Sequence, residues 1–249
     1  MLSDLDGVVA AYRAATPYYA ASTIKLAILI AALREVGAGR VDPDEQIVVG
    51  DSFPRRAGGG FRLHQQDDQD DATWARLGGT ERWATLLERM IVESSNIATD
   101  LILDSLTLDP VSRLIARAGA GGMIVRHYIG DATAASGSDQ NRVTAEALAR
   151  IMMLLATGRL LPPPATASAL DLLARQRHRR MIPAGLPSRL RVAGKPGWTD
   201  AVTHDVALVH PDTAPPFVLA VCTNDSAERV ARIAAVTWEH WSTWHTSRR

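Results

Sequence analysis

The chain has 249 residues, 47% of them hydrophobic, which suffices for one large domain or two closely packed ones. Its formal net charge is zero, which argues against a nucleic-acid partner or binding to an anionic membrane surface. The single cysteine, Cys222, excludes an intrachain disulfide, and no apolar run is long enough to span a bilayer. The first residues lack the features of an export signal, which predicts a cytoplasmic protein, or an exported one if the start is missing.

The first three quarters of the chain are predicted to be mostly helical. A short strand at residues 2–5 and another at residues 8–12 flank the turn Asp6-Gly7. A helix is predicted from Ser22 to Val36, and it is apolar on every side from Leu26 onward, which is typical of a buried helix. Further helices are predicted over residues 81–92, 97–106, 110–118, 145–156 and 165–180. Residues 51–72 and 130–141 are polar and aperiodic, which predicts loops.

The last quarter of the chain changes character. Three β-rich segments, residues 190–193, 202–210 and 217–223, predict an antiparallel meander before a final helix over residues 227–244. We therefore expect a mixed α/β fold, an antiparallel sheet flanked by helices with an all-helical insertion. The sheet subdomain is expected from about residues 1–21 and 186–249, and the helical subdomain from about 22–185.

The start of the buried helix carries a candidate nucleophile and base. Ser22 and Lys25 are three residues apart, so they share one face of a helix. A serine needs a neighbour that takes its proton, and a desolvated lysine can be neutral enough to do so. Among 27 basic residues only Lys25 and Lys195 are lysines. Arginine cannot act as a base, so chemistry that needs an amine explains why these two positions keep lysine.

Three short motifs follow one another in a fixed order. They are Ser22-Thr23-Ile24-Lys25, Ser94-Ser95-Asn96 and Lys195-Pro196-Gly197. The series resembles the Ser-x-x-Lys, Ser-Asp-Asn and Lys-Thr-Gly motifs of class A β-lactamases and penicillin-binding serine enzymes. The resemblance extends over nearly the whole chain, roughly from Leu2 to Trp244. It implies a serine hydrolase that forms an acyl-enzyme. Family members usually open with a helix and a full first strand, of which only residues 2–5 remain here. Either the sheet lacks a strand or a neighbouring chain completes it in a homodimer.

The resemblance also implies a role for each motif residue. Ser22 would attack the acyl carbonyl, Lys25 would accept its proton, and Ser94 would relay a proton to the leaving nitrogen. Lys195, also catalytic, would supply positive charge to the substrate carboxylate and to Ser94. Asn96 would orient substrate or Lys25. The residues that bind substrate would be Asn96, Gly197, Trp198 and Thr199. The backbone N–H groups of Ser22 and Trp198 would form the oxyanion hole. No metal or cofactor is implied, and the partner would be a small β-lactam or an acyl-peptide or ester substrate.

Three positions depart from the family pattern. Ser95 replaces the aspartate of the second motif. Pro196 replaces a hydroxyl residue that would bind the substrate carboxylate. Thr199 and Thr203 are the candidates to supply that hydroxyl instead. In the loop before Asn141, the Glu-x-x-x-Asn pattern of class A enzymes places Gly137 at the position of the glutamate that activates the deacylating water. Asp131 and Asp139 are the acids of this loop. Slow deacylation is therefore expected.

Other interpretations of the same residues are open. The scaffold also suits a D-Ala-D-Ala-type peptidase, an esterase, or a non-catalytic penicillin-binding sensor that stays acylated. A Ser-His-Asp hydrolase built on His204 and Asp205 is less favoured, because no serine lies in a Gly-x-Ser-x-Gly elbow. Ser94 could instead cap a helix, and Lys195 could be a charge on a strand edge.

Overall fold

The large sheet collects strands from both ends of the chain. The computed structural model describes residues 1–56, 58–131 and 139–246. The strands of the sheet are β1 (Leu2–Ser3), β2 (Val8–Ala10), β9 (Arg191–Trp198), β10 (Thr203–His210) and β11 (Phe217–Thr223). They lie in the order β2-β1-β11-β10-β9, and every pairing is antiparallel. The predicted antiparallel sheet and mixed α/β class are confirmed.

Seven α-helices lie between β2 and β9 in the described part of the chain, and one more follows the sheet. They are α1 (Lys25–Gly37), α2 (Asp71–Trp74), α3 (Trp83–Val92), α4 (Asn96–Leu106), α5 (Asp109–Arg117), α6 (Ala145–Ala156) and α7 (Pro163–Ala174), with α8 (Ala227–Thr246) after the sheet. The helix predicted to reach residue 180 ends at Ala174 instead. Residues 176–178 leave the helix because they form hydrogen bonds with the end of α3.

Short strand pairs fill the connections. β3 (Tyr18–Tyr19) pairs with β8 (Arg142–Val143), and β4 (Gln46–Val48) pairs with β7 (Thr80–Arg82). The prediction of a structureless loop over residues 51–72 is wrong in part, since β5 (Ser52–Pro54) and β6 (Gly60–Arg62) form a hairpin there. Its alternating Phe53 and Phe61 are buried, and this anchors a segment that is otherwise polar.

Helix α1 runs through the centre of the protein. Its residues from Leu26 to Ala32 are at most 1% exposed, as expected for a helix without a polar face. Each buried leucine or isoleucine of this kind stabilises the fold by about 1.5–3 kcal/mol. The first residue of the helix, Lys25, is thereby fixed at the edge of the core, where it is fully buried.

The two faces of the sheet pack against different partners. Ala193, Val206 and Leu208 belong to the same apolar cluster as α1, whereas Val192 and Ala207 pack on the other face with Trp241 of α8. Side chains alternate along a strand, so Lys195 lies on the same face as Ala193, toward α1. The sheet thus positions Lys195 at the N-terminal end of α1.

Some predictions about organisation remain open. The division into sheet and helical subdomains stays a prediction, and so does the homodimer. Within the described residues, β2 forms an outer edge of the sheet. No helix in this part of the chain has the length and apolar character needed to cross a membrane.

Candidate active site

Ser22 lies in a tight turn that precedes α1. Residues Ala21–Ile24 form a 3₁₀ helix, and Ala21 has a positive φ of 44°, a conformation that non-glycine residues seldom adopt. The turn is held from both sides, because Thr23 Oγ1 donates to Ala20 O at 2.6 Å and Ala20 N donates to Asn141 O at 3.0 Å. Backbone strain that the surroundings hold in place is common at functional sites.

Strand β9 passes close to this turn at Gly197. A Cβ atom at Gly197 would lie 2.8 Å from the backbone nitrogens of both Ser22 and Thr23. No side chain fits between the strand and the turn, so glycine is required here for close approach. The strand residue that follows is Trp198, whose backbone N–H was predicted to share the oxyanion hole with that of Ser22.

Lys25 is a buried amine held by three oxygens. Its Nζ donates to Ser94 O at 2.6 Å and Asn96 Oδ1 at 2.9 Å, and lies 3.4 Å from Ser94 Oγ. Burial lowers the pKa of Lys25 from 10.5 to about 7, against the opposing charges of Asp68 and Asp100. The amine is therefore neutral in a large fraction of molecules near neutral pH, as a general base must be.

Ser94 lies between the two lysines of the chain. Its Oγ is 2.8 Å from Lys195 Nζ, and its backbone has a positive φ of 61°. The interpretation of Ser94 as a helix cap is wrong: the cap of α4 is Ser95, whose Oγ accepts from Ala98 N at 3.2 Å. Ser95 therefore keeps a capping function at the position where the family pattern has aspartate.

Lys195 is fully buried, although β9 is an edge strand of the sheet. Its Nζ donates to Pro196 O at 2.9 Å as well as to Ser94 Oγ. The interpretation as an exposed edge charge is therefore wrong. Burial lowers the pKa of Lys195 well below its usual range, and the nearby charge of Lys25 adds to this shift. A bound carboxylate would act in the opposite direction and favour the charged amine.

Asn96 is fixed by hydrogen bonds on both sides of its amide. Its Oδ1 accepts from Lys25, and its Nδ2 donates to Asp67 O at 2.8 Å. Of the two roles implied for Asn96, orienting Lys25 is the one that the unliganded geometry supports. Asp68 completes this corner, because its carboxylate accepts from the backbone nitrogens of Asn96 and Ile97, each at 2.8 Å. This cap of α4 was not predicted from the sequence.

A groove of about 230 Å³ opens above these groups. Its walls come from five segments of the chain: Tyr19, Ala21, Ser22, Asp67, Gln69, Ser94, Asn96, Ile129, Gly130, Trp198 and Thr199. The predicted residues Ser22, Ser94, Asn96, Trp198 and Thr199 thus border one concave space, while Lys25 and Lys195 lie beneath its surface. Thr199 Oγ1 accepts from Ala201 N at 3.2 Å, which orients its hydroxyl at the rim.

The remaining wall of the groove is apolar. Ile129 and Gly130 form it, and Ile129 N donates to Asp100 Oδ1 at 2.8 Å. Asp100 is fully buried, and burial raises its pKa well above the usual range of an aspartate. Sequence reasoning missed Ile129, whose place depends on this contact across 29 residues. A lone isoleucine in a loop gives no signal that could have identified it.

The acids of the loop do not border the groove. Asp131 is buried, with its carboxylate 3.4 Å from Arg55 Nε, and Asp139 accepts from Arg126 at 3.0 Å on the surface. Asn141 Oδ1 accepts from the backbone nitrogens of Arg126 and His127, so this residue closes the neck of the loop. Gly137, predicted to occupy the glutamate position, lies outside the described residues.

His204 and Asp205 do not form a catalytic pair. They are neighbours on β10, so their side chains point to opposite faces of the sheet. His204 Nε2 is hydrogen-bonded to Tyr19 O at 2.9 Å, whereas Asp205 Oδ2 accepts from Ile182 N at 3.0 Å. Burial raises the pKa of Asp205 to about 7. In the described part of the chain, no cluster of three metal-ligating side chains occurs.

Comparisons with solved structures show which proteins share the fold of this chain. A mutant of PBP-A, described as an acyl-enzyme complex with penicillin G, aligns with a TM-score of 0.79 at 21% identity, covering 97% of this chain and 89% of that one. A β-lactamase from Sphaerobacter thermophilus gives 0.81 at 22% identity, with coverages of 97% and 90%. An ancestral class A β-lactamase gives 0.82 at 23% identity, with coverages of 96% and 92%. At these identities the structures establish a shared fold.

The family itself is established by sequence. A comparison with curated proteins finds no significant match. The profile of the Beta-lactamase enzyme family, however, matches residues 2–241, nearly the whole chain. The chain belongs to the β-lactamase enzyme family and is a serine hydrolase of the acyl-enzyme type.

Proposed function

We propose that this protein opens β-lactams by acylation of Ser22 and releases the product slowly. The observation that carries the proposal is the position of Ser94 Oγ, within 2.8 Å of one buried amine and 3.4 Å of a second, at a groove that Ser22 also borders. This is the arrangement that acyl transfer to a serine needs: a nucleophile, a neutral base, and a proton path to the leaving group.

Acylation begins with removal of the proton of Ser22. Lys25, with its pKa lowered to about 7, takes the proton as Ser22 Oγ attacks the carbonyl carbon. The carbonyl oxygen gains negative charge, which the N–H groups of Ser22 and Trp198 stabilise. The close approach of Gly197 to the Ser22 turn brings these two donors together. Losing one such donor typically costs about 10²–10³-fold in rate.

Departure of the leaving nitrogen requires a proton. Ser94 lies next to Lys25 and can pass the proton from that amine to the nitrogen, while Lys195 supports Ser94 through the 2.8 Å hydrogen bond. Lys195 also supplies positive charge for the substrate carboxylate. Because Pro196 has no hydroxyl, the hydroxyl of Thr199 at the rim is the group proposed to bind that carboxylate.

Hydrolysis of the acyl-enzyme needs a base that activates water. The groove wall where the loop approaches Ser22 is formed by Ile129 and Gly130, neither of which carries a base. Asp131 is paired with Arg55, and Asp139 with Arg126, away from the groove. General-base assistance is worth about 10²–10⁴-fold, so a loop whose described residues bring no base to the groove predicts an acyl-enzyme that accumulates.

Mass spectrometry of the intact protein after exposure to penicillin G tests this proposal. We expect one penicilloyl adduct per chain, mapped to the peptide that contains Ser22 and absent in Ser22→Ala. Ser112→Ala, a change at an exposed serine of α5, serves as the matched control and should label normally. Labelling at another serine, or undiminished labelling of Ser22→Ala, would refute the proposal.

Kinetics separate the proposed function from its alternatives. A burst of β-lactam opening followed by a slow steady rate supports a slow β-lactamase. A burst with no measurable turnover supports a penicillin-binding sensor. Faster turnover of a D-Ala-D-Ala peptide or a small ester than of penicillin supports a peptidase or an esterase on the same site.

A further inference from the structure

The segment that follows α7 bonds to the end of α3. Gln176 Nε2 donates to Ile91 O at 2.5 Å, Arg177 N donates to Val92 O at 3.1 Å, and His178 Nε2 is 2.9 Å from Glu93 O. The last carbonyls of a helix have no partner inside the helix and need one from outside. This segment supplies a hydrogen-bond partner for three successive carbonyls, and the last of these belongs to Glu93, directly before Ser94.

The ring of His178 also contacts the opposite wall of the groove. Its centroid lies 5.0 Å from that of Trp198, with the rings inclined at 61°, an edge-to-face arrangement. Because a carbonyl oxygen only accepts, the nitrogen that faces Glu93 O carries a proton. One side chain therefore joins the Ser94 turn by a hydrogen bond and the Trp198 strand by a ring contact.

We propose that His178 is a positioning residue that fixes the distance between Ser94 and the backbone N–H of Trp198. The inference rests on the proposed function, in which Ser94 relays the proton and Trp198 stabilises the oxyanion. Those two groups come from different parts of the fold, the turn between α3 and α4 and the edge strand β9. His178 links them on the side of β9 away from α1.

Ser94 needs such support because of its backbone conformation. Its φ of 61° lies in the left-handed region, which a serine adopts only when neighbouring contacts hold it there. The carbonyl of Glu93 belongs to the preceding peptide, so the His178 hydrogen bond acts directly on the orientation of that turn. A misplacement of about 1 Å in a catalytic group can cost about 10²-fold in rate.

The charged surroundings of His178 favour its neutral form. Burial lowers the pKa of His178, the charges of Lys195 and Arg180 act in the same direction, and the contacts with Glu93 oppose them. Other ionisable groups lie around the segment: Arg177, which pairs with Glu93, and Arg179 and Asp205, which border the same small cavity as His178. Protonation would leave the hydrogen bond intact but place a positive charge beside Lys195.

The experiment compares His178→Ala with His178→Gln, since a glutamine amide can donate to the same carbonyl. The rate constant for penicillin acylation is measured from about pH 5 to pH 9. We expect the Ala variant to acylate about 10²-fold more slowly and the Gln variant to recover to within about tenfold of wild type. Wild type should show an additional acid-side ionisation below about pH 6.5 that the Gln variant lacks. His210→Gln, at an exposed histidine at the far end of β10, is the control and should keep the wild-type profile.

Each outcome has a defined meaning. Equal losses in the Ala and Gln variants, or wild-type rates in the Ala variant, would overturn the positioning role. Thermal unfolding of each variant identifies a loss that comes from unfolding, and in that case the pH profile of the folded Gln variant decides. If wild type itself is not acylated at Ser22, the proposed function fails, and the role of His178 fails with it.

Discussion

The rate of acylation should depend on pH through the charge of Lys25. This amine is fully buried, and its pKa of about 7 lies far below the usual 10.5 of lysine. Only the neutral amine can take the proton of Ser22, so the rate constant should rise with pH and level off above about pH 8. Each pH unit below the pKa reduces the neutral fraction about tenfold, so about 1% remains at pH 5. We therefore expect acylation about 100-fold slower at pH 5 than on the plateau.

The assay is rapid-mixing acylation with a fluorescent penicillin at constant ionic strength, evaluated as the second-order rate constant. Far-UV circular dichroism at each pH verifies that the protein stays folded. The His178→Gln variant helps here, because it removes the additional ionisation expected below about pH 6.5. The remaining pH dependence of its acylation rate then reports Lys25 only.

A rate constant that stays flat between about pH 5 and pH 8 would refute this reasoning. It would mean either that Lys25 remains neutral far below pH 7 or that another group accepts the proton of Ser22. A midpoint near 10 would contradict it as well, because burial would then not have lowered the pKa of the amine.

Three further predictions concern single substitutions. Lys25→Arg should abolish acylation as fully as Lys25→Ala, since a guanidinium stays protonated, and near-normal labelling of the Arg variant would contradict the base role. Ile129→Glu should speed decay of the penicilloyl-enzyme by about 10²–10⁴-fold, because it places a base on the groove wall. Mass spectrometry measures the decay, with Ile129→Gln as the control that lacks a base. Equal decay of the two variants would argue that this wall is not where the base is missing. Gly197→Ala should slow acylation by about 10²–10³-fold, because the added methyl group displaces the oxyanion donors. Gly121→Ala, where a Cβ meets open space, is the control and should have no effect. Normal acylation by Gly197→Ala would show that the strand can shift without cost.

The motif residues were predictable because each motif is a short run of neighbouring residues with recognisable chemistry. Ser22 and Lys25 are one helical turn apart, and α1 is apolar on every side, so both its burial and the desolvation of Lys25 follow from the sequence. The β-meander likewise follows from its three β-rich segments, which Gly, Pro and Asp residues separate. The order of the motifs then indicated that Ser94 and Lys195 meet at the same place.

The residues that sequence reasoning missed are defined by contacts between distant segments. Ile129 reaches the groove through its bond to Asp100, and Asp68 caps α4 from a loop 28 residues earlier. The helix predicted through residue 180 ends early because the carbonyls of α3 compete for the backbone and side chains of residues 176–178. Helical periodicity carries no information about such a competing partner, so neither His178 nor the true end of α7 was predictable.

The burial of both lysines has a consequence for chemical labelling. Lys25 and Lys195 are each 0% exposed. Every other basic side chain apart from the histidines is an arginine, which does not react with acylating reagents for amines. The folded protein should therefore resist N-hydroxysuccinimide esters over most of its surface. Mass added to Lys25 or Lys195 would then report molecules in which the site has opened, and the protein would serve as its own probe of local unfolding.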